Sequence, residues 1–169
     1  MNTIKVRDIE IGAGAPKIIV PIVGVTKDDI IAEAKTFDSI PVDMVEWRVD
    51  WFENVFEFDK VEEVLKELRD ALGNIPILMT FRTSKEGGEK AIEAEAYAEL
   101  NIKAAQTGYV DFVDVEIFTG DEIVKKIFFH IPSKFCHSVE NWLIHCTLII
   151  RRYIQKHGCI MSYRIKIHV

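Results

Sequence analysis

Met44-Val45-Glu46-Trp47-Arg48-Val49-Asp50 places three ionisable residues at alternate positions of a run that otherwise reads as a buried strand. Side chains alternate between the two faces of a strand, so Glu46, Arg48 and Asp50 share one face and Val45, Trp47 and Val49 the other. On an exposed strand the charges simply meet water. Inside a parallel sheet, charges at the carboxyl end are costly unless they are paired or used. The flanking pattern decides between these readings.

Upstream, Ile4-Lys5-Val6 and Ile9-Glu10-Ile11 alternate around Arg7-Asp8, which predicts a short hairpin before Gly12-Ala13-Gly14. Lys17-Ile18-Ile19-Val20-Pro21-Ile22-Val23 is nearly continuous in apolar character, as for a strand covered on both faces. Thr26 is placed to cap a helix from Lys27 to about Phe37, with Asp28 and Asp29 in its first turn. Downstream, Asp59 is expected to cap a helix whose Val61, Val64, Leu65, Leu68 and Leu72 recur at helical spacing, with Gly73 as its stop. The strand Ile77–Arg82, a helix from about Glu89 to Thr107, the strand Val110–Glu116 and a helix opened by Gly120-Asp121 complete the series. Four strand-to-helix units in succession imply parallel pairing with right-handed crossovers.

In that arrangement the strand ends share one rim, which draws Glu46, Arg48, Arg82, Asp114 and Glu116 together from distant sequence. Ligands bind at the carboxyl ends of strands in open α/β sheets and barrels alike. Solvated rim charges would explain any one of these residues; three successive strands ending this way favour a site. Carboxylates accept hydrogen bonds from hydroxyls and guanidinium forks hold oxygens, so the cluster suits a polyhydroxylated or anionic small molecule. Thr83-Ser84-Lys85-Glu86-Gly87-Gly88 follows the third strand with a glycine pair that permits a tight loop, but lacks the spacing of a phosphate cradle.

The 169 residues and 49% hydrophobic content predict one globular core. No run of 18 apolar residues and no apolar leader is present, so a cytoplasmic protein that does not enter the membrane is expected. Cys136, Cys146 and Cys159 lack the spacing of a disulfide framework or a zinc site. Charge divides sharply along the chain: residues 1–126 hold 15 Lys+Arg against 26 Asp+Glu, and residues 127–169 hold 6 against 1. All five histidines also follow residue 126. The break marks either a small basic module or a segment whose reading frame or origin differs. Its basic residues are dispersed and the body is acidic, which argues against nucleic acid as a partner.

Glu46-Trp47-Arg48-Val49-Asp50, then Thr80-Phe81-Arg82-Thr83 with Glu86-Gly87-Gly88-Glu89, then Val113-Asp114-Val115-Glu116 with Phe118-Thr119-Gly120-Asp121, resemble type I 3-dehydroquinate dehydratase. Order and spacing agree over about residues 4–126. The resemblance implies a (β/α)8 TIM barrel, here truncated to a partial barrel with an N-terminal β-hairpin. Residues 1–126 would be the first four βα units, and 127–169 a divergent tail with one further helix and strand. It also implies a lyase of the shikimate pathway that needs no metal or organic cofactor, with a homodimer as its assembly.

By the same resemblance, Glu46, Arg48, Arg82 and Glu86 would hold 3-dehydroquinate and order the catalytic histidine, with Asp114 and Glu116 in support. A lysine would form a Schiff base with the substrate ketone, and the histidine would take the acidified proton and help water leave. The family's Ser-Asn-His-Asp-Phe motif is missing; its nearest counterpart is Lys134-Phe135-Cys136-His137-Ser138, which makes His137 the candidate, ahead of His145. Lys166-Ile167-His168-Val169 resembles the family's Lys-Ile-Ala-Val strand and nominates Lys166. A complete barrel takes about 250 residues, so an impaired enzyme is expected. The competing expectation is a non-catalytic small-molecule binding or interaction module with the tail as a dimer surface.

Overall fold

The structure, a computed structural model, describes residues 3–12 and 14–131. The hairpin forms as the alternation predicts: β1 (Ile4–Val6) pairs antiparallel with β2 (Ile9–Ile11), Ile4 opposite Ile11. Arg7 makes the turn at φ 50°, a left-handed conformation uncommon outside glycine. Its side chain is held by Asp111, Nε to Oδ1 at 2.7 Å.

Four parallel strands follow: β3 (Ile19–Ile22), β4 (Met44–Arg48), β5 (Ile77–Thr80) and β6 (Phe112–Val113). They lie side by side in chain order. The connecting helices are α1 (Lys27–Lys35), α2 (Phe58–Leu72) and α3 (Ala94–Thr107), with α4 (Asp121–His130) after the last strand. Each packs on the next, α1 on α2, α2 on α3 and α3 on α4. A doubly wound sheet reverses its strand order at a switch point. This sheet does not reverse within the described residues, so its four units are singly wound, as the partial (β/α)8 barrel implied by the resemblance requires.

The two sheet faces have opposite chemistry. Outward, Ile22, Val45, Trp47, Ile77 and Met79 join the core under the helices, with Trp47 stacked obliquely on Phe52. α2 contributes Val61, Val64, Leu65, Leu68 and Leu72, all buried, each worth about 1.5–3 kcal/mol of burial. Inward, the barrel has an apolar floor: Ile11, Ile19 and Met44 are buried together, with Ile9, Leu78 and Phe112 packed on them. The hairpin therefore plugs the lower end. One layer up, register aligns Pro21, Glu46, Leu78 and Phe112, and above it Arg48 with Thr80. Polarity rises towards the carboxyl ends of the strands.

Thr26 caps α1 in a reciprocal capping box with Asp29, as its position suggested. Other boundaries differ from expectation, each for a local reason. Asp59 does not cap α2; Glu57 occupies the N-cap position without a side-chain bond, and Asp59 sits in the first turn. β4 stops at Arg48 because Val49–Trp51 turn into a 3-10 helix that carries Asp50 out of the strand. α3 begins at Ala94 rather than Glu89, since the Glu89 amide is taken by Asp50 and Lys90 bridges back to Thr83. β6 is two residues long: the Asp114 carbonyl and the Glu116 amide bond the Tyr97 hydroxyl instead of a strand.

Candidate active site

The rim is centred on Arg82, just beyond β5. Its Nη2 lies 2.9 Å from Asp114 Oδ2, and its Nη1 lies 3.0 Å from Glu116 Oε1 and 3.4 Å from Glu86 Oε2. Burial works against the guanidinium charge, yet Asp114, Glu116 and Glu86 outweigh it and raise its pKa. Glu116 is committed further: Thr83 donates to it from its backbone amide at 3.0 Å and from its hydroxyl at 2.7 Å. The Tyr97 hydroxyl fixes the strand between the two acids, donating to the Asp114 carbonyl at 3.0 Å and accepting from the Glu116 amide at 2.9 Å. These bonds leave Glu116 as a support for Arg82.

On β4, Glu46 is buried on the inner face. Burial pushes its carboxyl up from the ordinary glutamate value; the Thr80 hydroxyl and Arg48 pull it down, and Asp114 pushes it further up. Burial likewise raises Asp114, against the pull of Arg82. Two neighbouring inner-face carboxyls thus both bind protons more readily than exposed ones. Arg48 forms a two-pronged pair with Asp50, Nε to Oδ1 and Nη2 to Oδ2, both at 2.8 Å. This is the fork geometry that an arginine offers a carboxylate.

The chemistry follows from this inventory. Five carboxylates (Glu46, Asp50, Glu86, Asp114 and Glu116) meet two guanidiniums, and both arginines already face internal acids. Such a rim is matched to hydroxyl groups, which donate to carboxylates, better than to a ligand's own carboxylate. Beside it, a cleft of about 350 Å³ opens between Thr83–Glu86 and Phe118–Thr119, lined also by Ile92, Tyr97 and Glu116. Among the described residues no three His, Cys, Asp or Glu side chains come close enough to hold a metal ion.

Of the residues anticipated, Glu46, Arg48, Arg82, Asp114 and Glu116 converge, and Glu86 joins them through its longer contact with Arg82. His137 and Lys166 lie outside the described residues. Sequence reasoning missed Lys90 and Tyr97, and quoted Thr83 and Asp50 within the motifs without giving either a role. A single side chain that bonds across long sequence distance gives no periodic signal, so only the fold identifies their partners.

The chain matches the model of the type I 3-dehydroquinase family over residues 18–142. It is 50% identical over 124 residues to the 3-dehydroquinate dehydratase of Clostridioides difficile and 46% identical over 124 residues to that of Clostridium botulinum. Both alignments cover 73% of this chain and 49% of the relative. The chain thus spans about half the length of the curated relatives it matches. Among solved structures, a type I 3-dehydroquinate dehydratase from Clostridium difficile with covalently modified comenic acid aligns with a TM-score of 0.76 at 47% identity, covering 79% of this chain and 53% of that one. The Enterococcus faecalis 3-dehydroquinate dehydratase aligns with a TM-score of 0.74 at 38% identity, covering 78% and 55%.

Proposed function

Because the chain belongs to the type I 3-dehydroquinase family, we propose that it carries the substrate-holding half of a 3-dehydroquinate dehydratase, a hydro-lyase that converts 3-dehydroquinate to 3-dehydroshikimate and water. The observation that carries the reading is Arg82, which gathers Glu86, Asp114 and Glu116 beside Glu46 and Arg48 at the ends of consecutive strands. Glu46, Arg48, Arg82 and Glu86 take the substrate's hydroxyls, and Asp114 and Glu116 keep Arg82 in place.

The elimination needs groups beyond this rim. A lysine amine adds to the substrate ketone and water leaves, giving an iminium that acidifies the adjacent carbon. A histidine takes that proton, the hydroxyl departs as water, and hydrolysis of the iminium frees the lysine. Lys166 and His137 are assigned these roles, the assembly is a homodimer, and the compartment is the cytoplasm. Lys166 is supported by the likeness of Lys166-Ile167-His168-Val169 to the family's lysine strand, His137 only by its place in the chain, the homodimer by the family, and the compartment by the lack of an apolar leader in the sequence.

A second reading, a binding module without catalysis, is favoured by one observation. Lys90 stands beside the rim but donates to two backbone carbonyls at 2.7 and 2.8 Å, so its amine is occupied. Borohydride reduction with 3-dehydroquinate, followed by intact mass and peptide mapping, separates the two. One adduct on Lys166 supports catalysis; binding without an adduct supports the module.

A further inference from the structure

We propose that Asp50 and Lys90 form a clamp that positions the binding groups, holding Arg48 and the segment from Arg82 to Glu89 in their working arrangement before a ligand arrives. The inference rests on the reading that Arg48, Arg82 and Glu86 hold substrate. Asp50 is wholly buried, and a buried carboxylate is costly unless every lone pair is used. Its two oxygens serve groups that belong to the rim or adjoin it. Oδ1 accepts from Arg48 Nε at 2.8 Å and the Arg82 backbone amide at 3.4 Å. Oδ2 accepts from Arg48 Nη2 at 2.8 Å and the Glu89 amide at 3.1 Å.

Lys90 completes the clamp through the backbone that carries Asp50. Its Nζ donates to the carbonyls of Asp50 and Phe52, closing the short 3-10 helix that presents Asp50. The Lys90 carbonyl in turn accepts from the Ser84 amide at 3.0 Å. The loop folds back on itself so that both of its ends reach Asp50, and Gly88 makes this fold-back feasible. A Cβ at Gly88 would stand 1.8 Å from the Arg82 carbonyl oxygen. Arg48 and Glu86, distant in sequence, are thereby referred to one buried carboxylate.

A purely stabilising role can be told apart from a positioning one, because the protein contains an internal control. Asp111, at the opposite end of the sheet, also accepts from two arginines and a backbone amide: Arg7 at 2.7 Å, Arg69 at 2.8 Å and Ile77 at 2.9 Å. It anchors the hairpin and touches none of the rim groups. Asp50→Asn and Asp111→Asn should both lower stability; the clamp predicts that only the first disturbs the rim.

The test uses the full chain with Asp50→Asn, Lys90→Met and Asp111→Asn, in two arms. Without ligand, amide exchange at Arg82 and Glu89 should speed about tenfold or more in Asp50→Asn, the scale of losing a charged hydrogen bond, and the Arg48 Nε–H resonance should move. Lys90→Met should speed exchange at Ser84 and Glu89, and Asp111→Asn should change none of these. With 3-dehydroquinate as probe, the apparent Kd should rise about tenfold in Asp50→Asn and Lys90→Met but not in Asp111→Asn. Equal effects of Asp50→Asn and Asp111→Asn, or an unmoved Arg48 resonance, would overturn the clamp. If the unaltered chain does not bind 3-dehydroquinate, the functional reading fails while the ligand-free arm still decides the clamp. Should Asp50→Asn not fold, Lys90→Met alone carries both arms.

Discussion

Arg82 Nη1 and Glu116 Oε1, from the ends of neighbouring strands, lie 3.0 Å apart with the Glu116 side chain only 2% exposed. The acid is shielded from water and Arg82 is one-fifth exposed; losing the cation leaves Asp114 without its ion pair and Glu116 with only the two bonds from Thr83. Arg82→Met should therefore cost about 3–5 kcal/mol, the range for breaking one side of a buried pair. Urea denaturation at neutral pH measures this loss. Burial already raises Asp114 against the pull of Arg82, so the loss should shrink as pH falls. An undiminished midpoint would show that Arg82 is not the electrostatic centre of the rim.

Glu46 gives a pH prediction whose sign is opposite to that of a salt-bridged acid. Its folded pKa lies above the ordinary 4.5, mainly through burial, so between those two values the folded state binds more protons than the unfolded chain. Stability from this group is thus greatest below 4.5 and falls as pH rises through the raised value. Asp114 acts in the same sense. Glu46→Gln should flatten this decline and leave the protein as stable or more stable at neutral pH, while weakening 3-dehydroquinate binding. Chemical denaturation across pH, together with the affinity, tests both halves.

Gly88 predicts a steric effect. A methyl group there must displace the Arg82 carbonyl, so Gly88→Ala should destabilise by at least about 1–3 kcal/mol, as for overpacking. It should also shift the resonances of Arg82 and Glu86. A neutral Gly88→Ala would mean that the loop is not laid against Arg82.

In the core between the helices and the outer face of the sheet, Leu68 of α2 is fully buried. Leu68→Ala should cost about 2–5 kcal/mol by cavity formation, with the affinity of the surviving folded protein unchanged. Thermal melting and titration of the same sample distinguish this from a rim variant.

Periodicity revealed most of the fold because apolar spacing is a local property. The heptad-like run of α2, the alternation of β1 and β2 and the charged alternation of β4 each report one element's surroundings. The rim was legible as a set of residue types because successive strands ended in charge, and the family motifs sharpened it. What stayed hidden was pairing across sequence distance. Nothing around Asp50 announces that it accepts from Glu89, and nothing around Tyr97 shows that it replaces strand pairing beyond Val113. The late start of α3 and the shortness of β6 have the same origin, since long-range bonds took backbone groups that local propensity would have assigned to regular structure.

The central claim, that this half-barrel carries the groups that hold 3-dehydroquinate, is tested most directly by titrating the labelled chain with 3-dehydroquinate and following backbone and arginine Nε–H resonances. The account predicts saturable shifts concentrated at Glu46, Arg48, Arg82 and Glu86, and unmoved signals for the Arg7–Asp111 anchor. Absence of shifts at millimolar ligand, or shifts spread away from the strand ends, would contradict it.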